Sequence, residues 1–200
     1  LNWNEDLVVD RAPDDSDEPV EKPISDIPTA RMLSWARNSA SYRLSKRMHT
    51  EKQLRQAIAR KAREKFEDIG DAQVEALAAF AVKFGYDNSA LDDQAYAEIA
   101  TRSAHRSGRS KRAISQQLVI KGIDRETASE AVADVNDLRA AVVLARKRAF
   151  GPFRREELDQ KRKAKELASF ARAGFSSEIG RKVFEMQRDD AEVILSEDVV

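Results

Sequence analysis

Arg102, His105, Arg106 and Arg109 fall at i, i+3, i+4 and i+7. On a helix that continues through Gly108, these positions share one face. A row of guanidinium groups binds phosphates or carboxylates, because each presents N–H donors in a planar fork. Lys111, Arg112 and Lys121 extend the row, and no acid interrupts residues 101–121. A second run, 146–165, has nine bases against three acids and includes Lys161, Arg162, Lys163 and Lys165. A solvated helix face is the alternative reading of either run. Anion binding is favoured because the acids lie elsewhere. Residues 1–30 carry nine acids and two bases, and 189–200 carry five acids and no base. The body, 31–188, holds 33 bases and 21 acids. A chain with 35 bases and 35 acids is thus a basic body between two acidic ends.

Other candidate chemistry is weaker. Asp92-Asp93 has the form of a paired Mg²⁺ ligand, but helix capping at the positive end of a dipole explains it with fewer assumptions. No further carboxylates converge on it in sequence. His49 and His105 have neither metal-ligand nor triad spacing; His105 is expected in the anion site or exposed. Phe80, Phe84 and Tyr86 sit at helical spacing beside Leu77, so core packing is preferred over base stacking. Trp35 and Tyr42 are also expected in the core. There is no cysteine, which excludes disulfides and thiolate sites. No phosphate-binding glycine loop or zinc-protease motif occurs. No cofactor and no enzymatic activity are expected. The acidic N-terminus lacks a signal pattern and no long apolar run exists, so a cytoplasmic chain without membrane contact is expected.

The elements that must position these residues read as helices. Hydrophobic residues make up 42% of the 200, charged residues 35%, and Gly (7) and Pro (5) are scarce. That composition argues for helices around a thin core. Nine are predicted: Ala30–Arg47; Thr50–Arg63 with Thr50 as cap; one capped by Asp71 and stopped by Gly85; one opened by Asp92 and Asp93 to about Ser107; Ser110 to Gly122; Asp124 to about Val135; Asp137–Phe150; Arg154 to Ala173; and Ser176 to about Gln187. Residues 1–28, with four prolines, read as a flexible acidic tail, and 189–200 as a second acidic tail.

A shift of 60 residues places Thr50 on Ser110, Leu54 on Ile114 and Ile58 on Leu118. A further shift of 52 places Gly122-Ile123-Asp124 on Gly174-Phe175-Ser176. Lys121-Gly122-Ile123-Asp124 and Ala173-Gly174-Phe175-Ser176 each end a helix at a glycine, seal the turn with an apolar residue, and cap the next helix. The chain is therefore read as all-α, with three tandem three-helix repeats, 29–86, 87–135 and 136–188, in an elongated, slightly curved array.

Gly85-Tyr86 followed by Leu91-Asp92-Asp93-Gln94-Ala95-Tyr96-Ala97 resembles the signature of the RecX family. Arg102, Gly108, Ile114, Leu118 and Lys121-Gly122-Ile123 follow in the family's order. The resemblance covers about residues 36–187. Asp87–Ala90 are an insertion relative to the family pattern. Lys61-Ala62-Arg63 replaces the usual glycine stop, so the second helix is expected to run on toward Phe66. The resemblance implies a regulator of the RecA recombinase, acting in recombinational DNA repair by binding along the groove of the RecA–DNA filament and restraining it; a monomer is expected, with the oligomeric state left open. It also implies contact with single- or double-stranded DNA. The alternative is a DNA-binding helical repeat protein without a recombinase partner.

Overall fold

The computed structural model describes residues 26–197, which form ten α-helices and one 3₁₀ turn, with no strand among them. The first unit comprises α1 (Ala30–Lys46), α2 (Glu51–Lys65) and α3 (Asp71–Asp87). The second comprises α4 (Asp93–Arg106), α5 (Lys111–Ile120) and α6 (Arg125–Ala131). The third comprises α7 (Asp137–Arg148), a 3₁₀ turn (Gly151–Phe153), α8 (Gln160–Arg172), α9 (Ser177–Glu185) and α10 (Arg188–Ser196). No helix among the described residues is long and apolar enough to cross a membrane.

Each unit has its own core. Leu54, Ile58, Val74 and Leu77 centre the first, Ile114, Leu118 and Ile123 the second, and Val142, Phe170, Phe175 and Val183 the third. Fully burying one such side chain contributes about 1.5–3 kcal/mol. Caps fix where the helices begin. Thr29, Thr50, Asp92, Ser110, Asp124, Asp159 and Ser176 each accept a backbone N–H from the first turn of the following helix.

The repeat seen in sequence is a joint in space. The Thr50 hydroxyl donates to the Lys121 carbonyl at 2.6 Å, and the Ser110 hydroxyl donates to the Ala173 carbonyl at 2.7 Å. The next N–H in each helix, from Glu51 and from Lys111, donates to Asp93 and Asp137, which open the following unit. Gly122 and Gly174 stand directly after the two accepting carbonyls. Both are left-handed, φ +101° and +87°, and Gly122 has Lys52 pressed against the place a Cβ would occupy.

Several expectations need correction. Residues 189–197 were expected in an acidic tail, yet 188–196 are helical: Ala191 is buried, and Ile194 and Leu195 pack on the third core. Asp189 and Asp190 lie in the first turn, where the helix dipole favours acids, and the apolar side of the segment meets the third core. The expected helix from Arg154 instead begins at Gln160, because Glu166 of α8 holds the Arg154 side chain beside the 3₁₀ turn. Gly85 does not stop α3; it is a helical residue over which Leu91 packs. Gly70, not Asp71, is the N-cap of α3. The α6 helix ends at Ala131 rather than near Val135. Tyr42 is exposed, with Lys46 over its ring, instead of buried. Trp35 does pack on the first core, edge-on to Phe66. Phe80 and Phe84 pack there too, whereas Tyr86 is exposed and donates to Glu51. The α2 helix does run on to Lys65, with Phe66 as its C-cap. The expected N-terminal tail falls almost entirely outside the described residues.

Candidate nucleic-acid and partner interface

On α4, Ile99, Arg102, Ser103 and Arg106 share one exposed face. The face that meets the core is Ala97, Thr101 and His105, with Tyr96, Ala100 and Ala104 at its margin. On the side toward the third unit, His105 is buried and its Nε2–H donates to the Asn136 carbonyl at 3.0 Å, just before α7. His105 is therefore a structural bridge between units and no part of an anion site. His49 is likewise buried, with Nδ1 on the Arg47 carbonyl. Burial, helped by the Arg47 and Arg43 charges, holds its pKa below the usual value against that hydrogen bond.

The helix stops before Gly108, which is left-handed (φ +82°) and sits against Val143, Leu144 and Ala140 of α7. Arg109 consequently leaves the α4 stripe and, on the connection between α4 and α5, lines a groove. That groove has a volume of about 620 Å³ and runs between α4 and α5. Met48, Ile99, Ala100 and Ile114 line it together with Arg109 and Lys121. Arg102 reaches Glu98 at 3.8 Å, a pair exposed on both sides and of little strength. Arg106, Arg109 and Arg112 are exposed and form no ion pair among the described residues. Lys111 donates to the Ala133 carbonyl, and Lys121 donates to the Tyr96 hydroxyl at 2.7 Å with its ammonium over that ring.

The second basic run divides. Lys161 and Lys165 lie on the exposed side of α8, one turn apart, and Arg172 extends the stripe. Lys163 is exposed with its ammonium 5.8 Å from the Phe184 ring centre. Arg162 faces inward, where it meets Glu166 and Glu156. Glu166 is fully buried and accepts from Nε and Nη2 of Arg154, from Arg162 and from the Gly151 N–H. Burial pushes its carboxyl up, but these donors, Arg154 foremost, hold it below the ordinary carboxylate range. Arg162 therefore belongs to the frame that carries Lys161 and Lys165.

The two carboxylates at 92–93 serve helix ends. Asp92 caps α4 on the Ala95 N–H at 2.8 Å, and Asp93 accepts the Glu51 N–H at 3.0 Å. Burial raises the Asp93 pKa, with Glu51, Asp92 and Asp124 adding like charge against that hydrogen bond. No group of three or more potential metal ligands occurs among the described residues. The groove itself was not apparent from sequence, since Met48 reaches it from outside the second unit and no periodicity relates the two.

Comparison with known proteins places this arrangement. Residues 92–132 match the family model described as RecX, second three-helix domain. The chain is 67% identical over 170 residues to the regulatory protein RecX of Agrobacterium fabrum (strain C58 / ATCC 33970), covering 85% of this chain and 92% of that protein. It is 35% identical over 163 residues to the regulatory protein RecX of Myxococcus xanthus (strain DK1622), covering 76% and 85%. The crystal structure of RecX from Lactobacillus salivarius shares the fold, with a TM-score of 0.59 at 22% identity over 82% of this chain and 99% of that one.

Proposed function

The chain belongs to the RecX family, and on that premise we propose that it is a non-enzymatic regulator of the RecA recombinase, restraining it by lying along the groove of the RecA–DNA filament. The observation that carries this reading is the exposed cationic surface of the second unit. Arg102 and Arg106 on α4, Arg109 in the lining of the α4–α5 groove and Arg112 on α5 are all exposed, and the one ion pair they make, Arg102–Glu98, is weak. On the third unit, Lys161 and Lys165 face outward as well. Cations on successive units of one body meet a repeating anionic partner at several points, and each later contact forms at high effective concentration. DNA phosphates and acidic side chains of the filament are both suitable partners.

The test adds the full chain to RecA filaments preformed on single-stranded DNA and follows ATP hydrolysis and strand exchange. Binding to the filament is compared with binding to the same DNA alone. Inhibition, with tighter binding to the filament than to DNA, supports the proposal. Equal affinity for both would make the chain a plain DNA-binding protein. Unchanged RecA activity at saturation would overturn the regulatory reading.

A further inference from the structure

The lining of the α4–α5 groove combines apolar side chains with the cations Arg109 and Lys121. Ile99 is 46% exposed and Met48 42% exposed, large values for apolar side chains lining one concavity. Arg109 and Lys121 stand beside them. A pure phosphate site has no use for such apolar side chains; an acidic segment with apolar anchors does.

Residues 1–25 of this chain have that chemistry. They hold eight acids and two bases, and Trp3, Leu7, Val8 and Val9 are interspersed with Glu5, Asp6 and Asp10. The described chain begins beside the N-terminus of α1, where the Ile27 carbonyl accepts from Gln73 at 3.0 Å. From there α1 runs 17 residues, about 25 Å. Met48, in the lining of the groove, lies just past its C-terminus. The stretch joining Asp10 to Ile27 spans about 23 Å as a random coil and about 53 Å as polyproline helix, on general chain statistics for roughly 17 residues. The distance to be crossed falls at the short end of that range, where effective concentration is highest.

We propose that residues 3–10 dock intramolecularly in the α4–α5 groove, with Trp3 and Leu7 on its apolar side chains and the acids against Arg109 and Lys121. The docked segment competes with anionic partners for this surface. The competition rests on the functional reading above, whereas docking itself does not.

Trp3 is one of two tryptophans, so it reports docking directly. Subtracting the emission of the Trp3→Phe variant from that of the full chain isolates the Trp3 signal and leaves Trp35 and the core intact. Docking predicts a blue-shifted Trp3 component shielded from acrylamide, which Ile99→Asp moves to the red and opens to the quencher. A Trp3 component resembling hydrated indole, or one unmoved by Ile99→Asp, overturns the proposal. So does a signal that disappears on dilution, which would assign the groove to the segment of a second copy. Binding of an oligothymidylate probe then tests competition: Trp3→Ser/Leu7→Ser should tighten it several-fold at low salt, and an unchanged affinity would overturn that part. A failure of RecA regulation would appear only in the filament assays and would leave the fluorescence result standing.

Discussion

The Thr50 hydroxyl accepts the Gln53 N–H at 3.2 Å and donates to the Lys121 carbonyl, 71 residues away, at 2.6 Å. One buried side chain thus caps α2 and ties the first unit to the second. Ser110 does the same between α5 and Ala173. Thr50 and Ser110 are themselves fully buried, so removing either hydroxyl leaves its backbone partners facing an apolar side chain at that point.

Thr50→Val keeps the shape and removes the hydroxyl. It should destabilise by about 2–3 kcal/mol, combining the missing cap with an unsatisfied carbonyl, whereas Thr50→Ser should cost far less. Ser110→Ala should behave like Thr50→Val, and the double variant should be close to additive if the joints are independent. Urea denaturation measures all four. A Thr50→Val midpoint equal to wild type would reject the joint.

Gly122→Ala should cost roughly 2–4 kcal/mol, since the residue is left-handed and its new methyl would meet Lys52 Cβ. Gly85→Ala should cost less: its conformation is helical and the obstructing atoms are the end of the Leu91 side chain. Thermal melts of the two variants order them, and the reverse order would contradict the assignment of Gly122 as the turn between α5 and α6.

Removing residues 188–200 deletes α10 and uncovers the face of α7 on which Ala191, Ile194 and Leu195 pack. A loss of about 2–4 kcal/mol is expected from that apolar burial. A free acidic tail would instead leave the melting temperature unchanged.

Glu166 supplies a pH dependence. Its folded pKa lies below the unfolded value, so its stabilisation is complete above the ordinary glutamate pKa of about 4.3 and is lost as pH falls through the folded value. Glu166→Gln should destabilise by roughly 3–5 kcal/mol at pH 7, because Arg154 loses its buried partner. The penalty should shrink in acid. Parallel pH profiles for variant and wild type would exclude this role.

Arg102→Glu/Arg106→Glu alters only exposed positions on α4 and should leave helicity unchanged. Affinity for single-stranded DNA should fall, and the slope of log K against log salt should flatten by about 0.7 for each phosphate no longer neutralised. A variant as potent as wild type on RecA filaments would remove the α4 face from the functional surface.

Caps, glycine turns and the export of acid to the chain ends were readable from sequence because each is local. A Ser, Thr or Asp bonds the backbone three residues on, and a left-handed turn favours glycine, as at Gly108, Gly122 and Gly174. The 60- and 52-residue matches were readable too, since Thr50, Ser110, Gly122 and Gly174 answer the same local demand in successive units. Their long-range meaning was not, because the Thr50–Lys121 bond exists only once two units stack. The same holds for His105, whose partner Asn136 comes from the next unit; for Arg109, turned off its stripe by Gly108 packing on α7; and for Arg162, drawn inward by a glutamate that is acidic in sequence and buried in space. A charge in a sequence states what a side chain can bind. Whether it faces solvent or a buried partner is set by the elements that pack around it, and those come from far along the chain.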